Sequence, residues 1–64
     1  MNQVHIVIRI DHDVRYGHPQ VFTDTQQVFA RVMDARRAAW ALNNSIPSQW
    51  IGHRRYHVES RLVY

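Results

Sequence analysis

The side chains best suited to chemistry in this sequence are histidines, aspartates and arginines. Asp11-His12-Asp13, with His18 close behind, has the residue types that ligate zinc or a harder cation. Loops are rich in Asp and His for turn reasons, so these types without a fixed spacing indicate a turn more than a metal. His53 and His57 have the spacing of a helical zinc pair. On a strand, four residues span roughly 13 Å, too far for one ion to bridge, and the pattern from Arg54 onward is that of a strand. We therefore expect no metal and no cofactor.

Catalysis is thinly supplied. There is no cysteine, which removes disulfides, thiolate zinc sites and a thiol nucleophile, and all eight basic residues are arginine, which removes lysine chemistry. Ser45, Ser48 and Ser60 stand in no nucleophile-elbow context, and Gly17 and Gly52 alone make no phosphate-binding loop. A substrate pocket of roughly 300 Å³ would consume much of the core that 64 residues can form. The expectation is a protein without catalytic residues.

The arginines are the more telling set. The formal charge is +3 with histidines neutral. Guanidinium forks match carboxylates and phosphates and shed water readily, which suits interfaces, although codon bias toward arginine gives the same composition. Arg54-Arg55-Tyr56-His57 followed by Arg61 interleaves basic and aromatic residues, as nucleic-acid binders do. The tyrosines nevertheless alternate onto the apolar side, and Asp11 and Glu59 interrupt the basic field.

The elements that must position these groups follow from periodicity. From Gln3 to Asp11, Val4, Ile6, Ile8 and Ile10 alternate with Gln3, His5, Val7, Arg9 and Asp11, predicting a half-buried strand with the β-branched set inward. Asp11-His12-Asp13 reads as a turn, and Val14–Phe22, holding Gly17 and Pro19, as a short hairpin arm at an edge. Thr23-Asp24-Thr25-Gln26 has the form of a capping box and predicts a helix to about Leu42, with Asn43-Asn44 suited to a left-handed cap and Pro47 barring continuation. Its apolar stripe would combine Val28, Phe29, Val32, Met33, Ala35, Ala39 and Trp40, with Arg36 inside it and Arg31, Asp34 and Arg37 opposite.

Asn44 to His53 is a loop with one short turn around Ser48-Gln49-Trp50, where Trp50 and Ile51 either close the core or stand out as an anchor. Arg54 to Tyr64 alternates again, with Tyr56, Val58, Leu62 and Tyr64 opposed to Arg55, His57, Glu59, Arg61 and Val63. The fold class is therefore α+β. We expect a single two-layer domain, 1–64, with a two- to three-stranded sheet in β-β-α-β order and one helix on one face, joined by a right-handed crossover if the first and last strands are parallel. The Val4–Ile10 stretch is too short to span a bilayer or serve as a signal core, so a cytoplasmic protein without membrane contact is expected.

In format, the strand Val4 to Ile10, the helix Thr25 to Leu42 and the strand Arg54 to Tyr64 resemble the short phage-encoded proteins that inhibit host machinery, such as small inhibitors of bacterial RNA polymerase. That resemblance implies a non-enzymatic inhibitor occupying a surface of a larger host protein in the host cytoplasm. The reading from the residues is compatible with it: a protein-binding module, inhibitor or adaptor, meeting an acidic surface through an exposed sheet face carrying His5, Arg9, Arg55, His57 and Arg61. Of these, Arg9, Arg55, His57 and Arg61 are the first choices for contact, and Arg36, Arg37 and Trp50 the second. A homodimer through an exposed strand edge is a further expected association. A small DNA- or RNA-binding regulator is the alternative.

Overall fold

The structure is a computed structural model and describes residues 2–13 and 20–63. The β-β-α-β order holds, with β1 (Asn2–Asp13), β2 (Gln20–Phe29), α1 (Val32–Asn43), a 3₁₀ turn (Ser48–Trp50) and β3 (Arg54–Val63). The three strands form one sheet in the order β2-β1-β3, and both pairings are antiparallel. The conditional parallel crossover is thus replaced by an all-antiparallel sheet with α1 on one side. Of the expected hairpin arm, Gln20 to Phe22 begins β2; residues 14–19, and Tyr64 at the chain end, lie outside the described residues.

Two boundaries differ from expectation. Asp11, His12 and Asp13 continue β1, paired with Phe22, Val21 and Gln20. The expected capping box at Thr23 to Gln26 is strand, and the helix starts only at Val32, with Arg31 as a cap lacking any side-chain bond. A capping box stabilises a helix end by about 1 kcal/mol. That is small beside the ladder of nine residue pairs between β1 and β2, in a segment rich in the β-formers Val21, Phe22, Thr23, Thr25, Val28 and Phe29. A bulge between Val7 and Ile8 leaves Gln26 outside the pairing; its amide donates to Asp24 Oδ2 at 3.1 Å.

The helix stops where the sequence indicates, by a different device. Asn44 has φ −85°, right-handed rather than left-handed, and its side-chain amide donates to the Trp40 carbonyl at 2.7 Å. Ser45 Oγ adds a bond to the Ala41 carbonyl at 3.0 Å. These side chains satisfy carbonyls that the helix end leaves unpaired.

The core lies between α1 and one face of the sheet: Val7, Ala35 and Ala39 are buried, with Phe29, Ala38, Leu42, Tyr56 and Val58 packed round them. Directly paired residues of antiparallel strands share a face. Val7 pairs with Val58 and Gln27, and Arg9 with Tyr56 and Asp24, so the odd-numbered residues of β1 face the helix. This reverses the expected orientation of β1: Val4, Ile6, Ile8 and Ile10 point to the helix-free face, while His5 and Arg9 point to the helix side. His5 is buried there, its Nδ1 2.7 Å from Ser60 Oγ. For β3 the expected partition holds, with Tyr56 and Val58 on the core and Arg55, His57, Glu59 and Arg61 opposite.

Candidate interaction surfaces

Three surfaces gather the charged and aromatic groups. The first lies on the helix side of the sheet, beyond the reach of α1, whose 12 residues extend about 18 Å against roughly 40 Å for β1. Asp11, 7% exposed, sits at its centre. Arg54 donates to both its carboxylate oxygens, Nε to Oδ1 at 2.7 Å and an Nη to Oδ2 at 3.2 Å. Arg9 Nε lies 3.3 Å from the same Oδ2, and an Arg9 Nη lies 3.6 Å from Asp24 Oδ2. Trp50 stacks on Arg54, its ring centroid 4.3 Å from the guanidinium carbon. The hydrogen bond to Asp11 raises the pKa of Arg54 further above its already high ordinary value.

This network joins the 3₁₀ turn and all three strands, so Arg9 and Trp50, two of the expected contact residues, are engaged within the fold. Trp50 closes this end of the molecule, half-buried; Ile51, expected beside it, is 67% exposed. The network also uses the Asp11 carboxylate. Strand alternation sends His12 to the opposite face from Asp11 and Asp13, so the three do not converge on one ion. No cluster of three potential metal ligands occurs among the described residues, and His18 lies outside them.

The second surface is the outer side of α1. At about 100° per residue, Met33, Arg36, Arg37 and Trp40 share one stripe, opposite the stripe of Ala35, Ala39 and Leu42 that packs on the sheet. Trp40 is 71% exposed and Met33 53%. This corrects the expected stripe, in which Trp40 and Met33 belonged to the core and Arg36 lay among apolar neighbours. Taking Phe29 as helical joined Trp40 to the core stripe, and Phe29 is in fact the last residue of β2. Neither Arg36 nor Arg37 has an ion-pair partner among the described residues. Trp40 is the exposed residue that sequence reasoning missed; the signal was the narrower apolar arc that remains once the helix begins at Val32.

The third surface is the helix-free face of the sheet. Val4, Ile6, Ile8 and Ile10 run down its middle, flanked on β3 by Arg61, Glu59, His57 and Arg55 and on β2 by Val28, Thr25, Thr23 and Val21. Of the expected contact residues, Arg55, His57 and Arg61 do share this face. Arg61 donates to Glu59 Oε2 at 2.9 Å, which holds the Glu59 carboxyl below its ordinary pKa, and His57 Nε2 is 3.6 Å from Glu59 Oε1. Arg55 has no ion-pair partner among the described residues. A shallow depression of about 460 Å³ opens here between Ile8, Thr23, Thr25, His57 and Glu59.

No protein-family model matches this chain, and neither does any curated protein or solved structure. No helix among the described residues is long and apolar enough to cross a membrane.

Proposed function

We propose that the chain is a non-enzymatic protein-binding module, an inhibitor or adaptor in the format of short phage-encoded inhibitors, that meets an acidic surface of a larger protein in a host cytoplasm. The observation that carries this reading is the outer face of α1, where a 71% exposed tryptophan stands between two arginines that have no carboxylate partner among the described residues. Tryptophan and arginine dominate the energetics of protein interfaces, because one buries a large rigid surface and the other donates several directed hydrogen bonds at once. Leaving Trp40 and Met33 in water forgoes burial worth roughly 2 kcal/mol each, which a partner surface would recover. Arg36 and Arg37 make that partner acidic, and they take precedence as contacts over Arg9 and Trp50, whose side chains are engaged internally.

Nucleic-acid binding is the weaker reading. Tyr56 packs against the core, where it presents no stacking surface to a base, and Glu59 lies between His57 and Arg61.

The test is comparative capture from the native cell's lysate by immobilised wild-type chain and by the Arg36→Glu/Arg37→Glu/Trp40→Ala variant. A partner retained by the wild type and reduced at least tenfold by the variant is expected; equal retention by both rejects the reading. A salt titration with a short duplex and a single strand provides the control, since phosphate binding must weaken steeply as salt rises.

A further inference from the structure

The helix-free face of the sheet is half of a two-layer packing. Its middle row, Val4, Ile6, Ile8 and Ile10, is the β-branched stripe of an inward-facing strand, yet α1 lies on the other side. Within the row Ile8 and Ile10 are only 9% and 8% exposed, shielded by the side chains of the flanking strands, so the open apolar surface is supplied by the half-buried Val4 and Ile6 and by Val21 and Val28 beside them, 58% and 55% exposed. The surface area of the chain has the same implication. A folded monomer of 7.7 kDa exposes roughly 4,300 Å², whereas this chain exposes 5107 Å². The excess of about 800 Å² equals one partner's share of a standard stable interface. The thinness of the molecule accounts for it: the extents are 44 × 24 × 11 Å, and the radius of gyration is 13.4 Å against about 11 Å for a compact chain of this length.

The strand edges are less suited to association than the face. On β3, the Asn43 side chain donates to the Tyr56 carbonyl at 2.9 Å and accepts from the Tyr56 amide at 2.8 Å, so it occupies the place a further strand would take. On β2, the bulge at Gln26 interrupts the regular ladder that an added strand requires. The charges on the face are self-complementary in one register. Ile8 is level with His57, Ile10 with Arg55 and Ile6 with Glu59. A two-fold axis through Ile8, perpendicular to β1 and lying between two facing sheets, sets Ile10 over Ile6 of a second copy and Arg55 over its Glu59. Moving the axis by one residue to the level of Val7 would instead oppose Arg55 with Arg61 of the second copy. Packed sheets cross at about 30°, which displaces these positions by only about 4 Å, within the reach of an arginine.

We propose that the chain forms a two-fold dimer through its helix-free sheet faces, with the isoleucine rows packed together and Arg55 of each copy paired with Glu59 of the other. The outer faces of both helices then remain exposed on opposite sides of the dimer.

Sedimentation equilibrium of the full chain tests this with a charge exchange. The wild type should be dimeric at micromolar concentration. Arg55→Glu alone and Glu59→Arg alone should each weaken association at least tenfold, because each homodimer would oppose like charges twice. An equimolar mixture of the two variants should associate to within threefold of wild type, since both cross-pairs are restored in the heterodimer. A wild type that is monomeric at 200 µM overturns the proposal, as do single variants that associate normally or a mixture no better than its components. Circular dichroism establishes that each variant is folded. Should one not be, Thr23→Arg, which places a charge on the same face from β2, must weaken association at least tenfold, and undiminished dimerisation by that variant also overturns the proposal.

Discussion

Arg54 and Arg55 are adjacent in sequence and have opposite surroundings. Arg54 lies on the helix side, between the Trp50 ring and the buried Asp11 carboxylate, as part of a network that spans three strands. Arg55 lies on the helix-free side, next to Ile10 and across it from Thr23, with no carboxylate partner among the described residues. The same contrast separates the two faces of the sheet. One holds three strands together through a charge network centred on Asp11, and the other carries an apolar row flanked by the Arg61–Glu59–His57 cluster and by Arg55. Strand alternation produces this from a sequence in which the two arginines look equivalent.

The contrast can be broken first at Arg54. Arg54→Ala leaves Asp11 buried without its bidentate partner and should lower stability by about 3 kcal/mol, measured by urea unfolding in protein dilute enough that association does not contribute. A loss below 1 kcal/mol would remove the distinction between the two faces. Arg55→Ala in the same assay should change stability by no more than about 0.5 kcal/mol, as for other exposed side chains without a partner; a loss as large as that of Arg54→Ala would show that Arg55 also serves the fold.

The smallest effect concerns Glu59. The hydrogen bond from Arg61 lowers its pKa below the ordinary value of about 4.5. Its ionised form therefore contributes stability that is present above that value and is lost as pH falls through the lower folded-state value. Glu59→Gln should flatten the acid limb of the stability curve, and an unchanged limb would show that the Arg61 bond has no energetic weight.

Much of the fold was legible in the sequence. The alternation in Gln3–Asp11 and Arg54–Tyr64 indicates two strands, and Asn43, Asn44 and Pro47 mark the helix end. The β-β-α-β order and the partition of Arg55, His57 and Arg61 from Tyr56 and Val58 also follow from periodicity. The helix start is not legible, because Thr23 to Gln26 satisfies a local capping pattern whereas its pairing with β1 is not local. The orientation of β1 is not legible either, because both of its faces bury residues: Ile8 and Ile10 between neighbouring strands, and Val7, His5 and Asp11 on the helix side.

Which residues alternate and where regular structure ends depend on near neighbours along the chain, and both are readable from residue order alone. Which side of β1 the helix covers is a matter of long-range packing, and with it come the pairing of the arginines, the exposure of Trp40 and the side on which the isoleucine row lies. Period-two alternation defines two faces without saying which is covered. That choice depends on where α1 returns across the sheet, and the long-range packing of Val7 against Ala35 and Ala39 fixes it.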